Sequence, residues 1–161
     1  MTLHIEISIP QQRLRLLNQQ DELLREFAVS TALNGAGEQK NSYCTPRGLH
    51  LVRAKIGAGM PLGMVFRARR PTGEIWTRTL AEQHPGRDWI LTRILWLSGC
   101  EPGYNRLGNV DSMQRYIYIH GTPDTEPMGE PQSHGCIRMR NRDVAELFDM
   151  VEVGIQVDIT G

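Results

Sequence analysis

Leu3, Ile5, Ile7 and Ile9 alternate with His4, Glu6 and Ser8. A period of two sends successive side chains to opposite faces, so this opening reads as a strand with one buried face. The same texture returns along the chain. Pro10-Gln11-Gln12 breaks the first strand, Arg13–Leu17 reads as its return, and residues 23–31 read as a third extended segment, with a helix start at Leu23 as the competing reading. After the loop Asn34-Gly35-Ala36-Gly37 and the turn Pro46-Arg47-Gly48, residues 49–56 read as a strand with Leu49, Leu51 and Ala54 inward. Residues 64–69 and 74–77 read as short strands around Pro71-Thr72-Gly73, and residues 90–98 and 115–120 as strongly apolar strands. Only one stretch has a helical period. Asn141 is placed to cap it, Asp143 lies in its first turn, Val144, Leu147, Phe148 and Val151 share a face, and Gly154 suits its end. Residues 155–159 then alternate as a last strand. Many strands with one helix near the C-terminus predict a mainly-β domain, a β-sandwich or half-open barrel. No linker, repeat or low-complexity tract divides residues 1–161, so one domain is expected.

Charge narrows the partners. Lys plus Arg and Asp plus Glu are both 18, so the formal net charge is zero, which disfavours a general nucleic-acid or anionic-membrane binder. No apolar run approaches the ~20 residues of a membrane span. The N-terminus lacks a basic start, a secretory apolar run and a small-residue cleavage site. That pattern predicts a cytoplasmic protein, with a periplasmic one as the alternative if a leader has been removed. The three cysteines, Cys44, Cys100 and Cys136, are odd in number and too far apart for a zinc knuckle. Basic residues are uneven, with 16 Arg against Lys40 and Lys55. Biased base composition accounts for that, and so does planar recognition of carboxylates, which Arg does better than Lys.

The chemistry concentrates between Tyr118 and Met139. A strand ends in His120-Gly121-Thr122, a Pro- and Gly-rich loop follows, and then comes Ser133-His134-Gly135-Cys136-Ile137-Arg138. A thiol becomes a useful nucleophile when an imidazole takes its proton, and glycine beside it lets backbone N–H groups approach an oxyanion. Cys136, His120 and Gly135 therefore have the makings of an acyl-transfer site. Two other readings stand beside it. A lone cysteine can simply be a small buried hydrophobe, and His120, His134 and Cys136 supply three of the four ligands of a structural zinc site.

The block Ser133 to Arg138 with its upstream His120-Gly121-Thr122 resembles the signature of L,D-transpeptidase catalytic domains of the YkuD type. Val29-Ser30-Thr31-Ala32, Thr45-Pro46-Arg47-Gly48, Leu97-Ser98-Gly99, Glu101-Pro102-Gly103 and Tyr116-Ile117-Tyr118-Ile119-His120 are similar to further pieces of that family. The likeness runs over roughly residues 3–159. The loop from His120 to Ser133 is somewhat shorter than in many members, and Arg138 stands where one branch carries Asn. The resemblance implies Cys136 as nucleophile, His120 as general base, the carbonyl of Gly121 orienting the imidazole, and the N–H groups of Gly135 and Cys136 as oxyanion donors. It also implies that Ser133 and His134 brace the loop, and that Arg138 binds a substrate carboxylate or anchors the loop. Tyr118 and Asn105 are further candidates for lining the cleft. No cofactor or metal is implied. The implied substrate is the peptidoglycan stem tetrapeptide, cut between the L-centre of its third residue, commonly diaminopimelate, and its terminal D-Ala. Water as acceptor gives an L,D-carboxypeptidase of wall recycling; an amine acceptor gives a 3-3 cross-linking transpeptidase; a chain that binds without cutting is the remaining reading. Covalent acylation of Cys136 by carbapenems is implied as well.

Overall fold

The computed structural model describes residues 2–161. The strands β1 (His4–Ser8), β2 (Arg13–Leu17) and β3 (Leu23–Ala28) form an antiparallel meander. The long strands β4 (Gly48–Ile56) and β7 (Ile90–Gly99) pair antiparallel, with the hairpin β5 (Met64–Arg67) and β6 (Arg70–Ile75) between them in sequence. A short helix α1 (Arg78–Gln83) follows that hairpin. The strands β8 (Tyr118–Thr122) and β9 (Ile137–Arg140) lead into α2 (Asn141–Met150), and β10 (Gln156–Thr160) closes the chain beside β1, in parallel. The sheet runs β3-β2-β1-β10-β4-β7-β5-β6, with β8 on the other edge of β7 and β9 beyond it. It is mostly β, as the alternating pattern predicts, and its folded-over sheet is a curled half-barrel.

The core follows from the period of two. Ile5 and Ile7 of β1, Leu14 and Leu16 of β2, Leu95 and Leu97 of β7, Ile119 of β8 and Ile137 of β9 all face one interior, and α2 lays Val144, Leu147 and Phe148 into it. Each fully buried aliphatic side chain contributes about 1.5–3 kcal/mol. A smaller cluster of Met64, Phe66, Ile94 and Tyr118 lies under the other face, with Cys136 packed against it.

Several sequence expectations change. In β4 the buried residues are His50 and Val52, not Leu49 and Leu51, because the register against β7 and β10 turns the even positions inward. The hairpin turns at Ala68-Arg69, not at Pro71-Thr72-Gly73. Both turn residues have positive φ, +48° and +64°, which suits the right-handed twist of a two-residue hairpin. Pro71 then sits in an edge strand, where its missing N–H leaves no ladder bond unmade. The strand expected from Arg115 begins only at Tyr118, since Tyr116 takes φ +57° in a turn. Helix α1 carries no buried residue, so it had no apolar stripe to read; its legible mark is the N-cap, Thr77 Oγ1 accepting from Leu80 N at 3.0 Å. Asn141 does not cap α2. It is the first helical residue and turns its amide inward.

Candidate active site

Parallel pairing of β8 with β9 builds the site. The register sets Ile119 against Ile137 and His120 against Arg138. Because alternate residues share a face, Ile119, Ile137 and Met139 enter the core while Tyr118, His120, Cys136 and Arg138 line one cleft of about 510 Å³. A parallel pair needs a long crossover, and the irregular segment between Thr122 and Ile137 supplies it, delivering Cys136 beside Tyr118.

The cysteine loop is held from three sides. Ser133 Oγ donates to Cys136 O at 2.5 Å and accepts from Gly135 N at 3.2 Å. Thr45 Oγ1, fully buried, donates to Gly135 O at 2.9 Å and accepts from Ala32 N at 2.9 Å. Gly135 has φ +132°, and a Cβ there would stand 3.2 Å from Cys44 O, so only glycine fits without strain. Arg115, over half-buried, donates to Cys44 O at 2.7 Å and Glu38 O at 3.2 Å, and burial lowers its pKa from the usual guanidinium value. Thus Thr45 and Arg115 pin the Cys44–Thr45 stretch on which Gly135 rests.

The thiol of Cys136 donates to Tyr116 O at 3.3 Å and accepts from Tyr118 N at 3.3 Å. Burial pushes its pKa up to about 12, opposed by the Tyr118 N–H. His120 is 1% exposed, and its Nδ1 lies 2.6 Å from Gly121 O. Burial also lowers the His120 pKa, with the Asp88 carboxylate and the Gly121 carbonyl pulling the other way. Both groups are therefore neutral at rest near pH 7. With the Gly121 carbonyl accepting from Nδ1, the other ring nitrogen is left as the basic one.

Behind Gly121 the sheet is strained and braced. Thr92 has φ +74°, rare for a β-branched residue, where the β7–β8 register shifts between Leu91 and Ile94. Its hydroxyl donates to Asn141 Oδ1 at 2.5 Å and accepts from Gly63 N at 3.0 Å, while Asn141 Nδ2 donates to Asp124 Oδ1 at 3.2 Å. A Cβ on Gly121 would lie 2.6 Å from both Asn141 Oδ1 and Leu91 O.

The remaining sequence candidates divide. Arg138, with a side chain only 12% exposed, pairs with Asp88 at 3.1 Å. His134 stands on the rim with a 66% exposed side chain, its Nδ1 3.8 Å from Asp88 and its ring edge-on to Tyr43. Among the described residues, no group of three or more His, Cys, Asp or Glu side chains is placed to hold a metal ion. Gly135 differs from expectation: its N–H is already engaged by Ser133 Oγ, and of the two anticipated oxyanion donors only the Cys136 N–H is unused by these contacts. Asn105 is not in the cleft. It is buried and donates to Arg47 O and Leu49 O, both at 3.1 Å. Asp88, Arg69, Arg115, Thr45, Thr92 and Asn141 lie outside the site residues expected from sequence; of these Thr45 lies in a motif singled out there and Asn141 was expected only as a helix cap.

A model of the YkuD family, described as the L,D-transpeptidase catalytic domain, matches residues 2–159. The chain is 26% identical over 167 aligned positions to the probable L,D-transpeptidase ErfK/SrfK of Salmonella typhimurium, covering 96% of this chain and 52% of that relative. Its fold is shared with an L,D-transpeptidase from Mycobacterium smegmatis (TM-score 0.56, 19% identity, 99% of this chain and 58% of that one). It is shared also with LD transpeptidase LdtMt1 solved in complex with imipenem (TM-score 0.59, 20% identity, 99% and 59%). The chain thus spans about half the length of the Salmonella relative. These likenesses define the fold as that of L,D-transpeptidases. The chain belongs to the YkuD family of L,D-transpeptidase catalytic domains.

Proposed function

We propose that the chain is a cysteine acyltransferase that opens peptidoglycan stem tetrapeptides between the L-centre of the third residue and the terminal D-Ala. The observation that carries this reading is that Cys136 and His120 line one cleft, with Gly121 O 2.6 Å from His120 Nδ1. Since thiol and imidazole are both neutral, proton transfer to His120 accompanies attack by Sγ instead of preceding it. The Cys136 N–H faces the developing oxyanion. The imidazolium then returns the proton to the departing D-Ala amine, leaving a thioester. Water attacks that thioester with His120 as base, releasing the tripeptide and restoring the thiol.

We favour hydrolysis as the second step because water, unlike an amine acceptor, needs no second peptide site. It accords with a cytoplasmic enzyme acting on recycled or precursor stems. The family's transpeptidase relatives support a second reading, in which an amine acceptor forms a 3-3 cross-link outside the cytoplasm. Incubation with free tetrapeptide and with disaccharide-tetrapeptide, in excess diaminopimelate-containing acceptor, separates them by mass spectrometry, with Cys136→Ala as control. Tripeptide without joined product supports the carboxypeptidase; joined stems support the transpeptidase. No Cys136-dependent product overturns both and leaves a binding module.

A further inference from the structure

Three arginines, Arg69, Arg115 and Arg138, line the cleft, and Asp88 is the one acid among the described residues that line it. Two of the three are engaged: Arg138 by Asp88, and Arg115 by backbone carbonyls. Arg69 differs. Its guanidinium lies over the Trp96 ring at 5.0 Å and the Tyr116 ring at 4.8 Å, and one N–H donates to Tyr118 Oη at 3.1 Å. It has no carboxylate partner among the described residues. A guanidinium carries five N–H donors, so this cation rests over two neighbouring aromatic rings, whose centroids are 6.1 Å apart, with most of its donors unengaged. Stacking lowers the entropy lost when such a fork closes on a planar anion.

The position is as telling as the charge. Tyr118 donates its backbone N–H to Cys136 Sγ and accepts from Arg69 at its phenol, while the Tyr116 carbonyl accepts a hydrogen bond from the thiol and its ring lies under Arg69. The guanidinium and the nucleophile therefore line the same cleft, joined through the two ends of Tyr118. In a stem tetrapeptide the terminal carboxylate lies one residue, about 3.5 Å of chain, beyond the scissile carbonyl. We infer that Arg69 is the specificity residue that binds the free C-terminal carboxylate of the leaving D-amino acid, restricting the enzyme to stems that end at that residue. The arginine-rich composition thereby acquires one specific use. This inference rests on the proposed stem-peptide activity.

The test compares the tetrapeptide acid with its C-terminal carboxamide on the wild type, Arg69→Met and Arg69→Lys. The readout is the ratio of kcat/KM values, because damage to fold or nucleophile scales both arms alike. The wild type is expected to prefer the acid by roughly tenfold or more, as for a charge-assisted pair. Arg69→Met should collapse that ratio toward one, chiefly through KM on the acid, and Arg69→Lys should restore part of it. A wild type without the preference, or an Arg69→Met enzyme that keeps it, overturns the assignment while leaving the stem-peptide reading intact. A wild type that turns over neither peptide overturns the stem-peptide reading, and the role of Arg69 with it.

Discussion

Asp88 and Arg138 join across fifty residues of chain at 3.1 Å, and the second oxygen of the same carboxylate lies 3.8 Å from His134 Nδ1. Arg138 sits opposite His120 in the β8–β9 register, so this pair acts on the proposed base in addition to burial, the larger influence. Asp88 raises the His120 pKa and Arg138 lowers it. In Asp88→Asn the imidazolium loses its stabilising charge while Arg138 remains. The acid limb of the kcat/KM profile should therefore move to lower pH, measured on tetrapeptide. A limb that moves upward contradicts this arrangement.

In the wild type, that limb should already lie below pH 6.5, the ordinary value for histidine. Burial holds the His120 pKa down, so the neutral base persists into acid where an exposed histidine would be protonated. Stability should follow the same sense. His50, buried between Gly48 O and Ser112 Oγ, is lowered as well, again by burial. Below about pH 6.5 the unfolded chain binds protons that these folded imidazoles refuse, so stability is full above that pH and declines as pH falls. Melting temperatures across pH 5 to 8, the range in which histidine titrates, check the sign.

Because burial pushes the Cys136 thiol up to about 12, it stays protonated at neutral pH and depends on His120 to lose its proton. His120→Gln should slow turnover by about 10²–10⁴-fold, as for loss of a general base. A carbapenem mass adduct should form on the wild type, form far more slowly on His120→Gln, and be absent from Cys136→Ala. An adduct retained without Cys136 would place the chemistry elsewhere.

Gly121 and Gly154 separate steric from backbone effects. At Gly121 a Cβ would meet Leu91 O and Asn141 Oδ1 at 2.6 Å, both held by packed neighbours. Gly121→Ala should cost about 1–3 kcal/mol of stability by overpacking, and lower kcat by shifting Gly121 O off His120 Nδ1. At Gly154 the space is open but φ is +95°. Gly154→Ala should cost about 1–2 kcal/mol from the left-handed backbone with kcat unchanged. Chemical denaturation with parallel assays distinguishes the two.

Much of the site was legible because alternation carries it. Tyr118 and His120 alternate with Ile117 and Ile119 in a strand the sequence shows, whereas the matching alternation of Cys136 and Arg138 with Ile137 and Met139 belongs to β9, which is too short to read as a strand from sequence. The hairpin was misread because Pro71-Thr72-Gly73 is the stronger local turn signal. Pairing of Met64 with Ile75 and Phe66 with Pro71 overrode it and forced Ala68 and Arg69 into positive φ.

That shift decides where Arg69 lies, and no local pattern carries it. Sequence by itself determined the mainly-β character, most of the strands though not β9 or the β5–β6 hairpin, the single amphipathic helix, and the nomination of Cys136 and His120, because periodicity and a compact motif are local properties. Tertiary structure alone decided that Asp88 reaches Arg138, that Thr45 holds Gly135, that Thr92 and Asn141 brace Gly121, and that Arg69 stacks on Trp96 and Tyr116. Each of those contacts joins segments far apart in the chain. Their partners exist only once the sheet has closed in one register and the crossover has set β9 parallel to β8.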